Sequence, residues 1–236
     1  MRIHTEHTRR ADSGPSPTGL PAHIPHIDEM MSRNDSRSRD EAIRTLILSM
    51  RTEDPRSHEH GERTALYAVA LGKAVGFGQE ELIHLHTAAL LHDIGKLTLP
   101  AAILKKRGPL SAEEYELVQC HPRAGAEIVA AFPLLRMPAV WIAHHHERWD
   151  GSGYPYGLRG SFIPLGSRVL AVADLFDAVL SQRSPFDVTR NYQSAARQLE
   201  LAGGSQLDPD LVSTFLKLTT DPVEILSLCF TAFAKP

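Results

Sequence analysis

The chain has 236 residues, of which 42% are hydrophobic and 22% charged, so it can form one sizeable globular core or two small ones. Its 25 basic and 28 acidic residues give a net charge of -3, which excludes an overall basic field that would attract nucleic acid polymers or an anionic membrane. Two cysteines, and no apolar stretch of the roughly 18 residues that a membrane span needs, predict a cytoplasmic protein.

Residues 1–37 have the composition of a disordered tail. They are rich in proline, serine and charged residues and have almost no periodic apolar positions, so they cannot bury enough surface to offset the entropy lost on ordering. The tail also contains His4, His7, His23 and His26. These histidines either are solvated or bind a metal adventitiously.

Residues 38–220 form the predicted domain, and their apolar pattern is helical. Apolar residues recur at spacings of three and four, and Ser111 and Glu114 form a capping-box start for a helix to about Gln119. We find no long run of period-two alternation that would suggest a sheet. The fold class is therefore predicted to be all-α, and residues 221–236 are a C-terminal extension. The periodic positions are Ala42, Ile43, Leu46, Ile47 and Met50, and then Leu66, Val69, Ala70, Leu71 and Val75.

The pair His92-Asp93 lies at the end of a predicted helix over residues 80–91. A histidine offers one neutral nitrogen, and the following carboxylate has two oxygens that can bridge two metal ions. Asp93 is our candidate bridging ligand. The alternative is a helix-terminal pair stabilised by solvent.

A second cluster begins at His145-His146 and continues into a loop rich in glycine and aromatic residues. Glycine permits close approach of the backbone to a ligand, and aromatic rings offer faces for a purine. We therefore predict that the loop binds substrate; the alternative is a loop that only braces the preceding helix. Two clusters of imidazoles and carboxylates in one chain indicate a metal-centred hydrolase. The predicted loop contacts are Asp150, Gly153, Tyr154 and Pro155.

Asp174 lies within the apolar helical stretch 165–180. An unpaired carboxylate is costly to bury, so Asp174 needs a cation or a hydrogen-bonded partner. Asp177 follows one turn later, and we interpret it as a supporting or capping group rather than a metal ligand.

With His92-Asp93 followed by Gly153-Tyr154-Pro155, the chain resembles the HD-GYP phosphodiesterases of bacterial cyclic-dinucleotide signalling over about residues 40–218. The resemblance implies an HD-domain helical bundle with a GYP-loop extension. It also implies hydrolysis of cyclic di-GMP to linear pGpG, and it leaves open whether the final product is pGpG or GMP. The family's metal-ligand positions correspond to His60, His92, Asp93, His121, His145, His146 and Asp174.

By the same resemblance, two metal ions share Asp93, one with His60, His92 and Asp174 and the other with His121, His145 and His146. Some family members hold a third ion with a glutamate where this chain has Arg56, so we expect a dinuclear centre. Nitrogen and carboxylate ligands without thiolate suit iron or manganese. His58 is the alternative to His60 in a shifted register. We interpret His84, His86, His144 and His58 as surface or supporting residues.

The resemblance further implies that Lys96 contacts the scissile phosphate or assists the leaving oxygen, so Asp93 and Lys96 are the predicted catalytic residues. Arg183 matches a family arginine that contacts guanine or phosphate. The chain departs from the family immediately afterwards, because Ser184-Pro185-Phe186-Asp187 replaces a segment with a second basic residue. A carboxylate there should weaken phosphate binding.

Hydrolysis of cyclic di-GMP is therefore the leading hypothesis. The changed segment after Arg183 leaves two alternatives. One is a catalytically weak sensor of cyclic dinucleotides that acts through a signalling protein bound to the GYP loop. The other is a phosphodiesterase for a different cyclic or linear dinucleotide.

Overall fold

The structure is a computed structural model that describes residues 35–106, 108–181 and 188–218, and its regular elements are helices. The prediction of an all-α fold is confirmed. Short 3₁₀ turns cover Ile94–Thr98, Pro133–Leu135 and Gly160–Phe162. The α-helices are α1 (Ser36–Glu53), α2 (Pro55–Ala74), α3 (Gln79–Leu91), α4 (Ala101–Leu104), α5 (Ala112–Val118), α6 (His121–Ala130), α7 (Arg136–Ala143), α8 (Leu165–Ser181), α9 (Val188–Ala202) and α10 (Pro209–Leu218).

The first helix follows its sequence pattern. Asp35 caps α1 by accepting a hydrogen bond from the Ser38 backbone N–H at 2.8 Å. The periodic residues Ala42, Leu46 and Met50 lie on its buried face. The predicted tail over residues 1–37 overlaps the start of this helix, and residues 1–34 lie outside the described part of the chain.

The boundary between α5 and α6 lies at residues 118–121. The capping box at Ser111 and Glu114 is present, but α5 ends at Val118 rather than Gln119. His121 is the first residue of α6 and Cys120 is the N-cap, although a residue before proline is usually not helical. The His121 ring donates to the Val118 carbonyl at 2.7 Å, so the end of α5 orients this ring.

The core lies where α2, α3 and α8 pack together, and α6 packs against α7 and the 94–98 turn. Its fully buried side chains include Leu46, Leu71, Leu85, Phe176 and Phe215. Each such side chain contributes about 1.5–3 kcal/mol of burial free energy. This packing brings the first half of α2, the end of α3, the start of α6, the end of α7 and the middle of α8 towards one place.

None of the helices in the described ranges is both long enough and apolar enough to cross a bilayer.

Candidate metal centre

All seven residues predicted as metal ligands lie close together. They form three overlapping groups in which the ligand atoms of each group lie within 4.8 Å of one another. The middle group joins the two outer ones, so the arrangement is a single elongated cluster. The groups are His60, His92 and Asp174; His92, Asp93 and His145; and His121, His145 and His146.

Three imidazoles of the cluster are oriented by the backbone. In each ring Nδ1 donates to a carbonyl three residues earlier, which leaves Nε2 as the unprotonated nitrogen of the neutral ring. Such a nitrogen is a ready ligand for a transition metal ion. The bonds run from His92 to Ala89 at 2.8 Å, from His121 to Val118 at 2.7 Å, and from His145 to Ile142 at 2.6 Å.

Two of these nitrogens test whether the cluster fits a metal. Nε2 of His121 and Nε2 of His145 are buried, and among the described residues neither has a hydrogen-bond partner. Burial lowers the pKa of His121 to about 4, and burial also holds the pKa of His145 well below its usual value. Both rings are therefore neutral at pH 7, and their orphaned lone pairs fit a metal ion.

His60 lies between two carboxylates of α8. Its Nε2 is 2.8 Å from Asp174 Oδ1, and its Nδ1 is 2.6 Å from Asp177 Oδ2. Arg63 also donates to the Asp177 carboxylate, from Nε at 2.8 Å. Burial opposes protonation of His60, but the hydrogen bonds to Asp174 and Asp177 outweigh it and raise its pKa to about 9. Asp177 therefore orients His60 and does not join the three ligand groups.

Asp93 occupies the centre of the cluster and is buried. Its Oδ1 is 3.4 Å from His121 Nε2, and its Oδ2 is 3.6 Å from His92 Nε2. Lys96 donates to Oδ2 at 2.6 Å. Burial favours the neutral acid, but the charge of Lys96, with smaller effects of the two histidines, holds the pKa of Asp93 well below its usual value. Asp93 is therefore an ionised carboxylate that faces both halves of the cluster.

The predicted loop residues lie beside His146. The Tyr154 ring lies 5.0 Å from the His146 ring at an interplanar angle of 35°, and Pro155 follows it through a cis peptide bond. Gly153 lies so close to the preceding chain that a Cβ there would be 2.3 Å from the Arg148 backbone nitrogen. Asp150 is exposed, and hydrogen bonds from Ser152 lower its pKa to about 2.

Other predicted residues lie elsewhere. Arg183 and the altered segment after it fall within residues 182–187, outside the described residues. His58, the alternative to His60 in a shifted register, is buried but does not belong to the ligand groups. In α2 it is His60 that lies in one group with Asp174. The His144 ring lies 5.0 Å from Tyr156 and donates to the Val140 carbonyl at 2.7 Å.

Two supporting residues were not identified from the sequence. Arg63 follows His60 by three residues on a predicted helix, and this spacing was the available signal. Glu147 follows His146 directly and is 4% exposed. Its position between the histidine pair and the glycine-rich loop was its signal.

Residues 44–211 match the HD domain family. The chain is 37% identical over 183 residues to a cyclic di-GMP phosphodiesterase of Thermotoga maritima, covering 76% of this chain and 50% of that protein. It is 34% identical over 210 residues to the cyclic di-GMP phosphodiesterase response regulator RpfG of Xanthomonas campestris pv. campestris, covering 88% and 55% respectively. The chain thus spans about half the length of these relatives.

Solved structures share the fold. A cyclic GMP-AMP specific phosphodiesterase of V. cholerae matches with a TM-score of 0.60 and 19% identity, over 83% of this chain and 52% of that one. An HDG"Y"P protein from Bdellovibrio bacteriovorus matches with a TM-score of 0.59 and 20% identity, over 82% and 68%. The family match leads to one conclusion: the chain belongs to the HD domain family.

Proposed function

We propose that this protein is a metal-dependent phosphodiesterase that hydrolyses cyclic di-GMP to linear pGpG or GMP. The observation that carries the proposal is the convergence of seven ligand-type residues into one cluster with two orphaned imidazole nitrogens. HD domain phosphohydrolases are metal-dependent, and the cluster could hold such ions. Relatives at 33–37% identity that are named cyclic di-GMP phosphodiesterases support this substrate.

We assign the cluster to two divalent ions that share Asp93. His60, His92 and Asp174 complete one ligand set, and His121, His145 and His146 complete the other. Iron or manganese suits these nitrogen and carboxylate donors, because the set contains no thiolate. When bound, such ions supply Lewis-acid chemistry, which makes water a stronger nucleophile and neutralises charge on the phosphate.

The Lys96 ammonium donates a hydrogen bond to Asp93. Its side chain is 29% exposed, so the ammonium can face solvent and a bound phosphate while it donates to the carboxylate. Burial alone would lower the pKa of Lys96, but Asp93 raises it, and the ammonium stays charged. We assign to Lys96 contact with the phosphate and stabilisation of the departing ribose oxygen.

We propose that the nucleobases of the substrate bind to the GYP loop, which contains Asp150, Gly153, Tyr154 and Pro155. The half-buried ring of Tyr154 offers a face beside His146, and burial raises the pKa of its phenol, which remains a hydrogen-bond donor. We place Asp150, Gly153 and Pro155 beside it, and Arg183 at a guanine or phosphate. Tyr156 in the same loop is 54% exposed, and we assign this outer face to a signalling protein partner.

A second candidate substrate is another cyclic dinucleotide. The chain is 35% identical over 179 residues to a 3'3'-cGAMP-specific phosphodiesterase of Vibrio cholerae, covering 75% of this chain and 34% of that protein. The carboxylate of Asp187, in a segment where the resembled family has a basic group, also favours a difference in dinucleotide preference.

The proposed function is tested by anaerobic reconstitution with iron or manganese, followed by elemental analysis and turnover of cyclic di-GMP, 3'3'-cGAMP and pGpG. We expect about two ions per chain, because the shared carboxylate and six further ligands complete two sets. We also expect cyclic di-GMP to be hydrolysed fastest. Three ions, or none, would contradict the dinuclear centre. Binding of cyclic di-GMP without turnover would identify a sensor, and faster turnover of 3'3'-cGAMP would support the second candidate.

Asp177→Asn tests whether Asp177 orients the His60 ring for metal binding. The amide has nearly the same size but no charge, so it holds the His60 ring and Arg63 less well. We expect metal affinity at the His60 set to fall by about 10–100-fold. Competition with a chelator measures this loss, and Asp40→Asn on the exposed face of α1 is the control. Equal affinity in Asp177→Asn and parent protein would remove Asp177 from the support of the centre.

A further inference from the structure

His146 is held differently from the neighbouring imidazoles. His92, His121 and His145 each donate Nδ1 to a backbone carbonyl. In contrast, the contacts described for the His146 ring are with other rings: His145 at 4.1 Å, His121 at 5.0 Å and Tyr154 at 5.0 Å. Two of these neighbours are themselves fixed by the backbone. The orientation of His146 therefore depends on where the loop places Tyr154.

The loop returns onto the chain that carries His146. The Tyr154 backbone N–H donates to the His146 carbonyl at 3.2 Å. At Gly153 a Cβ would lie 2.6 Å from that same carbonyl oxygen, so only glycine permits the approach. This contact places Tyr154 beside His146, but it fixes only the first residue of the segment 154–158.

Glu147 fixes the other end. Its carboxylate accepts hydrogen bonds from the backbone N–H groups of Tyr156 at 2.7 Å and of Leu158 at 2.9 Å. The side chain is buried, and hydrogen bonds to a buried carboxylate are stronger than hydrogen bonds between neutral groups. Each carboxylate oxygen accepts one of these backbone hydrogen bonds, and Glu147 does not belong to the groups that could hold a metal.

We propose that Glu147 is a positioning residue, which holds residues 154–158 so that the Tyr154 ring keeps the His146 imidazole in its ligand orientation. The inference rests on the proposed metal centre and adds to it a residue that need not touch metal or substrate. The base of the loop is held separately, since the Trp149 and Asp150 N–H groups donate to the carbonyls of Gln206 and Ser205 at 3.1 and 2.8 Å. Loss of the Glu147 contacts should therefore loosen only the 154–158 segment.

The first arm of the test uses the metal-free protein. In Glu147→Gln the amide offers one oxygen to two N–H donors and turns its own NH₂ towards the second. We expect backbone amide exchange at Tyr156 and Leu158 to accelerate about tenfold or more, while exchange in α3 and α8 is unchanged. Glu127→Gln is the matched control, because the Glu127 side chain on α6 is 68% exposed. It should leave every one of these rates unchanged.

The second arm uses cobalt(II) as the probe and follows its visible absorption during titration into the metal-free protein. For Glu147→Gln we expect one of the two ions to bind about 10–100-fold more weakly, with a changed spectrum. Tyr154→Phe keeps the ring and should bind like the parent protein, whereas Tyr154→Ala should resemble Glu147→Gln. Because both residues act through one ring, the double variant should bind no more weakly than Tyr154→Ala.

Several results would overturn the positioning role. Unchanged amide exchange in Glu147→Gln would show that the carboxylate does not hold the segment. Faster exchange with parent-like cobalt affinity and spectrum would show that the segment does not position His146. Additive losses of cobalt affinity in the double variant would show the same. If the parent protein bound no cobalt, the metal centre itself would fall, and the positioning role with it.

Discussion

Asp93→Ala is expected to lower hydrolysis of cyclic di-GMP by about 10³-fold or more and to reduce the metal content below one ion per chain. The carboxylate faces His92 at 3.6 Å and His121 at 3.4 Å, so its loss removes a donor from both proposed ligand sets. It also leaves the Lys96 ammonium without its partner at 2.6 Å. Repulsion between Lys96 and incoming cations then adds to the lost donor.

Elemental analysis and initial rates after anaerobic reconstitution measure this effect. His144→Ala is the control, because His144 contacts Tyr156 and lies outside the three ligand groups. It should keep nearly the full metal content. Full activity in Asp93→Ala would exclude Asp93 from the centre, and metal loss in His144→Ala would shift the ligand register by one residue.

Gly95→Ala is expected to destabilise the protein more than the other substitutions proposed. A Cβ at this position would lie 2.0 Å from the His121 carbonyl oxygen and 2.5 Å from the Gly125 backbone nitrogen. Both are backbone atoms, so the 94–98 turn must move away from α6. We expect the free energy of unfolding to fall by about 3 kcal/mol, which lowers Tm by about 6–12 °C in a chain of this size.

The same displacement carries His121 away from Asp93, so metal binding at the His121 set should weaken as well. Thermal unfolding of the metal-free protein isolates the packing effect from the metal effect. Gly108→Ala is the matched control, since among the described residues, apart from its chain neighbours, no heavy atom lies within 4 Å of a Cβ built there. A Tm for Gly95→Ala within about 2 °C of the parent would contradict the close contact.

Local features of the chain were predicted from sequence because neighbouring residues determine them. The spacing of Ala42, Leu46 and Met50 indicated the buried face of α1, and the Ser111 capping box indicated the start of α5. Both depend on helical geometry within a few residues. The HD and GYP motifs were sufficient for the family, and the family match confirms that resemblance.

The sequence by itself determined the helical class, the family and the residue types that could bind metal. It did not determine what Glu147 and Gly95 contact, because their partners belong to a returning loop and to a packed helix.

The partners of Asp174 and Asp177 also could not be predicted from the sequence. Both are carboxylates in one apolar helix, and either needs a partner when buried. Only the packing of α2 on α8 decides which partner each carboxylate has. Asp174 contacts His60 Nε2, whereas Asp177 contacts His60 Nδ1 and Arg63. These contacts span 114 to 117 residues, and no local pattern records them.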